Sequence, residues 1–160
     1  MPIAKPTTVF QASVAPDWCD FNGHLTQWQY GKIFSDATLE MFSLTDLGEA
    51  YLGETGNALF TTENHTWYLR ECKSGGSIRV DIQFMELGTK AMHLGLALFD
   101  EANRLCARDE QLLLHVNRDT HGAVRSAAFP EEAVQRIRPF LSTSRENDLG
   151  SHSTVIRLNK

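Results

Sequence analysis

The sequence predicts an α+β fold in which one long helix lies against a curved antiparallel sheet. Three observations predict it. An apolar period of 3.6 runs through residues 27–47, a period of two replaces it from residue 58 onward, and the links between the later apolar stretches are short.

Residues 7–15 mix β-branched and apolar side chains between Pro6 and Pro16, which suits a first strand. Residues 16–26 are dense in turn formers, including Pro16, Asp17, Asp20, Asn22 and Gly23, and Thr26 then stands where a helix cap is expected. Tyr30, Ile33, Phe34, Ala37, Met41 and Leu44 follow at helical offsets and form one apolar stripe, with Gly48 as the expected stop. Ile78, Val80, Ile82 and Phe84 alternate with Arg79, Asp81 and Gln83, the pattern of a strand with one buried face. Met92, Leu94, Leu96 and Leu98 repeat it, and residues 58–71 and 105–117 complete a set of four long strands. The links at 73–76, 87–89 and 100–103 suit hairpins. Residues 130–141 suit a short helix with Pro130 in its first turn. Residues 142–160 form a polar tail in which 155–158 suit an added strand. Strand, long helix, then four antiparallel strands is the order of a hotdog fold, a helix wrapped by its sheet.

At 160 residues, 42% hydrophobic and 22% charged, the chain suits one domain with a real core. A formal net charge of -5 argues against nucleic acid or an anionic membrane as the main partner. No apolar stretch is long enough for a bilayer, and the N-terminus lacks the apolar region of a signal peptide. Cys19, Cys72 and Cys106 are odd in number and lack CxxC spacing, so they read as reduced thiols of a cytoplasmic protein.

The chemistry concentrates in Asp17-Trp18-Cys19-Asp20-Phe21-Asn22-Gly23-His24. Two carboxylates, an amide and an imidazole stand in a turn leading to a helix N-terminus, whose unpaired N–H groups and dipole can polarise a carbonyl oxygen. A nearby carboxylate can then attack the carbonyl or activate water. Composition alone favours a plain tight turn built by Asx residues and glycine.

The segments DWCDFNGHLTQWQY, LFTTENHTWYL and EQLLLHV occur in that order. Over about residues 8–118 the chain resembles the 4-hydroxybenzoyl-CoA thioesterase-like hotdog enzymes, and within them the betainyl-CoA thioesterases of carnitine catabolism. The resemblance implies hydrolysis of a short acyl-CoA, betainyl-CoA being favoured, by a homodimer or homotetramer without cofactor or metal. It implies Asp20 as nucleophile or general base and a backbone N–H at Gln27 or Trp28 as oxyanion donor. Phe21 stands where some members carry proline, which changes local rigidity and leaves the carboxylate in place. Asp17 reads as a turn residue, and Asn22 and His24 as loop residues beside the substrate. The equivalent of Glu63 and His65 lies near the acyl pocket in the resembled branch; two apart on a strand, they should share a face.

A quaternary ammonium is served by aromatic faces and a carboxylate, for which Trp18, Trp28, Trp67, Tyr68 and Glu63 are available. The Thr66-Trp67-Tyr68 sequence after His65 falls where members of the branch vary, which leaves the acyl group open. Glu110, Gln111 and His115 lie in the third matching segment, and Arg70, Lys73, Arg79 and Lys90 are candidates for coenzyme phosphates. His24, His65 and His115 lack the close spacing of zinc ligands, and no serine stands in a nucleophile elbow. A hotdog hydratase or dehydratase and a non-catalytic acyl-CoA-binding domain remain as rival readings.

Overall fold

Burial of one helical stripe sets the architecture. The computed structural model, which describes residues 6–141, opens with strand β1 (Thr7–Ser13), a short 3-10 turn (Pro16–Trp18) and helix α1 (Gln27–Thr45). Tyr30, Ile33, Phe34, Ala37 and Met41 are buried as their spacing predicts. Leu44 is not. At the end of α1, Asp46 adopts a left-handed conformation (φ 53°), the chain swings round, and Leu47 fills the core in place of Leu44. Thr45 is buried there because its hydroxyl donates to the Met41 carbonyl at 2.9 Å. Gly48, the expected stop, instead precedes a second helix, α2 (Glu49–Thr55), which the sequence pattern does not disclose. Tyr51 is its one buried residue, and a single anchor makes no period.

Strands β2 (Asn57–Tyr68), β3 (Ser77–Leu87), β4 (Ala91–Asp100) and β5 (Leu105–Arg118) follow, then β6 (Val124–Ser126), helix α3 (Glu131–Ile137) and a 3-10 turn (Arg138–Phe140). The tail and the strand expected at 155–158 lie outside the described residues. The sheet order is β1-β3-β4-β5-β2, all antiparallel, and β6 pairs with β5 beyond the point where β4 leaves it. β1 and β2 are therefore opposite edges, and α1 carries the chain across the concave face between them.

The alternating residues of β3 and β4 meet in register, Val80 with Leu98, Ile82 with Leu96 and Phe84 with Leu94, and all are buried in one cluster with Phe34 and Met41. The links 87–89 and 100–103 lie at hairpins. The link at 73–76 does not, because β4 and β5 lie between β2 and β3. Residues 69–76 run across the strand ends instead, and this course brings them to the N-terminal turn. Among the described residues no helix is long and apolar enough to cross a membrane.

Burial on β5 is not confined to one face. Asp109 and Gln111 point toward α1, where the Thr38 hydroxyl donates to Gln111 Oε1 at 2.9 Å. Asp109 accepts from Thr66 (2.5 Å), Gln111 (2.8 Å) and Asn64 (3.3 Å), so the buried carboxylate is hydrogen-bonded by neutral donors. Burial nevertheless raises its pKa above the usual carboxylate value, against the opposing pull of these bonds. Arg108 and Glu110 lie on the opposite face, also fully buried.

His115 closes the far end of β5. Its Nδ1 lies 2.9 Å from the Ala127 carbonyl and must donate to it, so Nε2 accepts from the Tyr51 hydroxyl at 2.9 Å. The ring is thus held neutral, and burial lowers its pKa.

Two outcomes follow from this packing. Gly56 has φ +72°, and a Cβ there would stand 2.7 Å from the Arg118 carbonyl oxygen. Gly56→Ala should therefore destabilise by about 1–3 kcal/mol, a melting-temperature loss of roughly 3–10 °C, whereas Gly122→Ala, with open space around it, should cost less. Differential scanning calorimetry of the pair checks it, and equal losses would refute the clash. The second concerns acid. Because the folded pKa of His115 is below its unfolded value, the unfolded chain takes up the proton first. The stability from neutral His115 is complete above about pH 6.5 and is lost as the pH falls through the folded pKa. Buried His93, shifted the same way, adds to the effect. Urea unfolding at pH 7.5 and 5 should show a smaller acid loss in His115→Gln than in the wild type, and identical losses would exclude His115 as a source.

Candidate active site

The turn between β1 and α1 is built around one side chain. Cys19 pairs with Leu25 across it, Asp20 N–H donates to the His24 carbonyl at 2.9 Å, and Gly23 N–H donates to the Asp20 carbonyl at 2.9 Å. Gly23 sits at φ +76°, where a glycine meets no Cβ penalty. Asp20 Oδ1 accepts from the backbone N–H groups of Asn22 (2.8 Å) and His24 (3.2 Å). Among the described residues Oδ2 makes no hydrogen bond. One carboxylate oxygen thus shapes the loop.

The link from β2 to β3 straps this turn in place. Leu25 N–H donates to the Cys72 carbonyl at 2.8 Å, Ser74 N–H to the Gly23 carbonyl at 3.1 Å, and His24 bridges Lys73. Cys72 and Cys106 are buried behind it as free thiols, and burial pushes both upward in pKa, Cys106 to about 12.

Helix α1 starts beside the turn. Thr26 stands at the cap position, but its hydroxyl donates to the Trp18 carbonyl at 3.1 Å and caps no helical N–H. The first-turn N–H groups of Gln27 and Trp28 have no carbonyl one turn earlier in the helix to meet, so they remain as directed donors at the positive end of its dipole.

Asp20, Asn22, His24 and Gln27 line one groove of about 370 Å³ together with Tyr30, Tyr68, Arg70 and Glu71. His24 Nε2 lies 3.2 Å from the Glu71 carboxylate. The Tyr30 and Tyr68 rings meet edge to face, centroids 5.2 Å apart at 74°. Tyr30 is buried, which pushes its phenol up in pKa, while Tyr68 is half exposed.

The remaining candidates lie elsewhere. Trp18 packs against the core behind the turn, and the Trp28 side chain is 65% exposed outside the groove. Glu63 and His65 do share a face of β2, with Oε1 and Nε2 2.9 Å apart, and Trp67 follows on that face, 6.3 Å from the His65 ring. It is the face away from α1, since the alternate residues Asn64 and Thr66 reach Asp109 on the helix side. Within one chain these three do not meet Asp20. Of the basic candidates, Arg70 lines the groove and Lys73 an adjoining pocket of about 280 Å³ with Arg104. Arg79 stacks over Phe99 at 4.5 Å, and Lys90 lies at the other end of β5, where its carbonyl accepts the His115 N–H. Sequence reasoning missed Tyr30, which reads as one more core residue of the stripe, and Glu71, which carries no local signal. Among the described residues no three His, Cys, Asp or Glu side chains come together as a metal-ligand set.

Comparison with known proteins agrees with the fold. The chain is 33% identical over 144 residues, 89% of its own length and 89% of the relative's, to the betainyl-CoA thioesterase of Pseudomonas aeruginosa. A hypothetical protein of Staphylococcus aureus, solved in complex with CoA, superposes with a TM-score of 0.80 at 27% identity, covering 98% of this chain and 99% of that one. The 4-hydroxybenzoyl CoA thioesterase of Pseudomonas sp. strain CBS-3 has the same hotdog fold, with a TM-score of 0.73 at 14% identity over 83% of this chain and 99% of that one. The thioesterase-like superfamily matches residues 14–137, and the chain belongs to it.

Proposed function

We propose that this chain hydrolyses a short acyl-coenzyme A thioester, betainyl-CoA foremost, with Asp20 as nucleophile or general base. The observation that carries the reading is one groove lined by both Asp20, whose Oδ2 makes no hydrogen bond among the described residues, and Gln27 at the uncapped start of α1. The named activity of the Pseudomonas aeruginosa relative and the CoA bound to the Staphylococcus aureus structure support it. Attack on the carbonyl carbon, by Asp20 or by a water that Asp20 deprotonates, drives negative charge onto the carbonyl oxygen. The N–H groups of Gln27 and Trp28 are the donors for that charge, and a donor of this kind is worth about 10²–10³ in rate. The C–S bond then breaks, its electron pair stays on sulfur, and the thiolate takes up a proton. Where Asp20 itself attacks, water then hydrolyses the acyl–Asp20 anhydride and frees the carboxylate. One water is consumed, and free acid and coenzyme A leave.

We further propose a homo-oligomer. Among the described residues β2 is paired only on its β5 side, so a 12-residue strand presents an open edge that a second copy can cover. The groove lies at the end of that edge, where Tyr68 closes it. The free cysteines support a reducing, cytoplasmic setting.

Release of free thiol from betainyl-CoA tests the activity and separates it from hydration or simple binding. In Asp20→Asn the amide oxygen can still accept the Asn22 and His24 N–H bonds, so the fold should persist while the carboxylate is lost. Turnover should fall by at least about a hundredfold with little change in melting temperature, and Asp17→Asn should matter much less. Wild-type turnover in Asp20→Asn would remove Asp20 from the mechanism. Light scattering should report a multiple of 18.0 kDa at micromolar concentration, and a stable monomer would count against the oligomer.

A further inference from the structure

We infer that Tyr68 and Glu71 determine selectivity for a cationic acyl group, Tyr68 by its ring face and Glu71 by its charge. The inference rests on the thioesterase reading and specifies what its groove selects. In a betainyl thioester the quaternary nitrogen is one methylene removed from the carbonyl carbon. Whatever stabilises that cation must therefore stand beside Asp20, in the same groove. A trimethylammonium donates no hydrogen bond, so only π faces, carboxylates and apolar walls serve it.

The groove supplies such groups. Tyr68 lines it and is 50% exposed, and its ring meets that of buried Tyr30 edge to face. Glu71 lines the same groove as Tyr68 and lies 3.2 Å from His24. Arg70 is the opposing charge, but its Nη1 donates to the Leu105 carbonyl at 3.1 Å, which ties the guanidinium to β5. The alternative cage of Trp67, Glu63 and His65 lies on the far face of β2 and Trp28 projects to solvent, so neither meets the geometric demand within the chain. Neither Tyr68 nor Glu71 is asked to touch the reacting bond; their effect is on which acyl group is held there.

The test is the ratio of kcat/KM for betainyl-CoA over 3,3-dimethylbutyryl-CoA, the neutral isostere of nearly the same shape. A structural role would move both substrates together and leave the ratio unchanged. The wild-type ratio should be about tenfold or more. Tyr68→Leu and Glu71→Gln should each lower it by about threefold or more, while Tyr68→Phe, which keeps the ring, should preserve it. Glu71 is exposed, so its variant reads out the charge even where Tyr68→Leu unsettles the strand end. A wild-type ratio near one, a ratio that ignores both Tyr68→Leu and Glu71→Gln, or a ratio that collapses in Glu63→Gln would overturn the inference and leave the hydrolase standing. Absence of thiol release from any acyl-CoA would bring down the hydrolase reading and the inference with it.

Discussion

The structure depends on the burial of one face of α1 against the concave sheet. Ile33, Phe34, Ala37 and Met41 are almost wholly removed from water, and the larger of them contribute about 1.5–3 kcal/mol each. This contact fixes the helix axis and therefore where its first turn lies. A helix N-terminus is useful to chemistry only if its donors are held still and aimed. Here the same apolar contact that stabilises the domain holds them, and no separate device is required.

The Asp20 turn shows a division of labour within one side chain. Oδ1 takes two backbone hydrogens and so resists being moved, while Oδ2 makes no hydrogen bond among the described residues. Beyond its own hydrogen bonds, the turn is anchored by Cys72 and Ser74, which lie in the link that follows β2. The backbone of residues 69–76 therefore serves two ends. It bridges two strands that are not neighbours, and it delivers Arg70 and Glu71 to the groove.

Strand β5 carries the main polar burden. The run Arg108-Asp109-Glu110-Gln111 reads as a surface segment, yet all four side chains are buried. On the helix side the cost of desolvating Asp109 is offset by Thr66, Gln111 and Asn64, and Gln111 passes the connection to Thr38 of α1. A hydrogen-bonded line thus joins the long helix, the central sheet and the edge strand. Such a line fixes strand register more sharply than apolar packing, because a slip would strand a buried carboxylate.

The sequence by itself determined the long helix, the first strand and the four long strands, the two hairpins and the Asp20 turn. Each of these is a local pattern: Tyr30 to Met41 at helical spacing, Ile78 to Phe84 in alternation, and Asx residues with Gly23 in a tight loop. Family likeness then singled out Asp20, which composition alone left as a plain turn residue. Tertiary structure alone decided strand order, and with it that residues 73–76 form no hairpin. It alone decided that α2 forms on a single anchor and that Leu47 replaces Leu44. It also put Glu63 and His65 on the face of β2 away from Asp20, although their shared face was legible from their spacing. The period of two says which residues share a face but not which face meets the helix; pairing with β5 settles that, through contacts more than forty residues apart in the chain. Glu71 reaches the groove for the same reason, because backbone pairing between distant segments leaves no trace in local sequence.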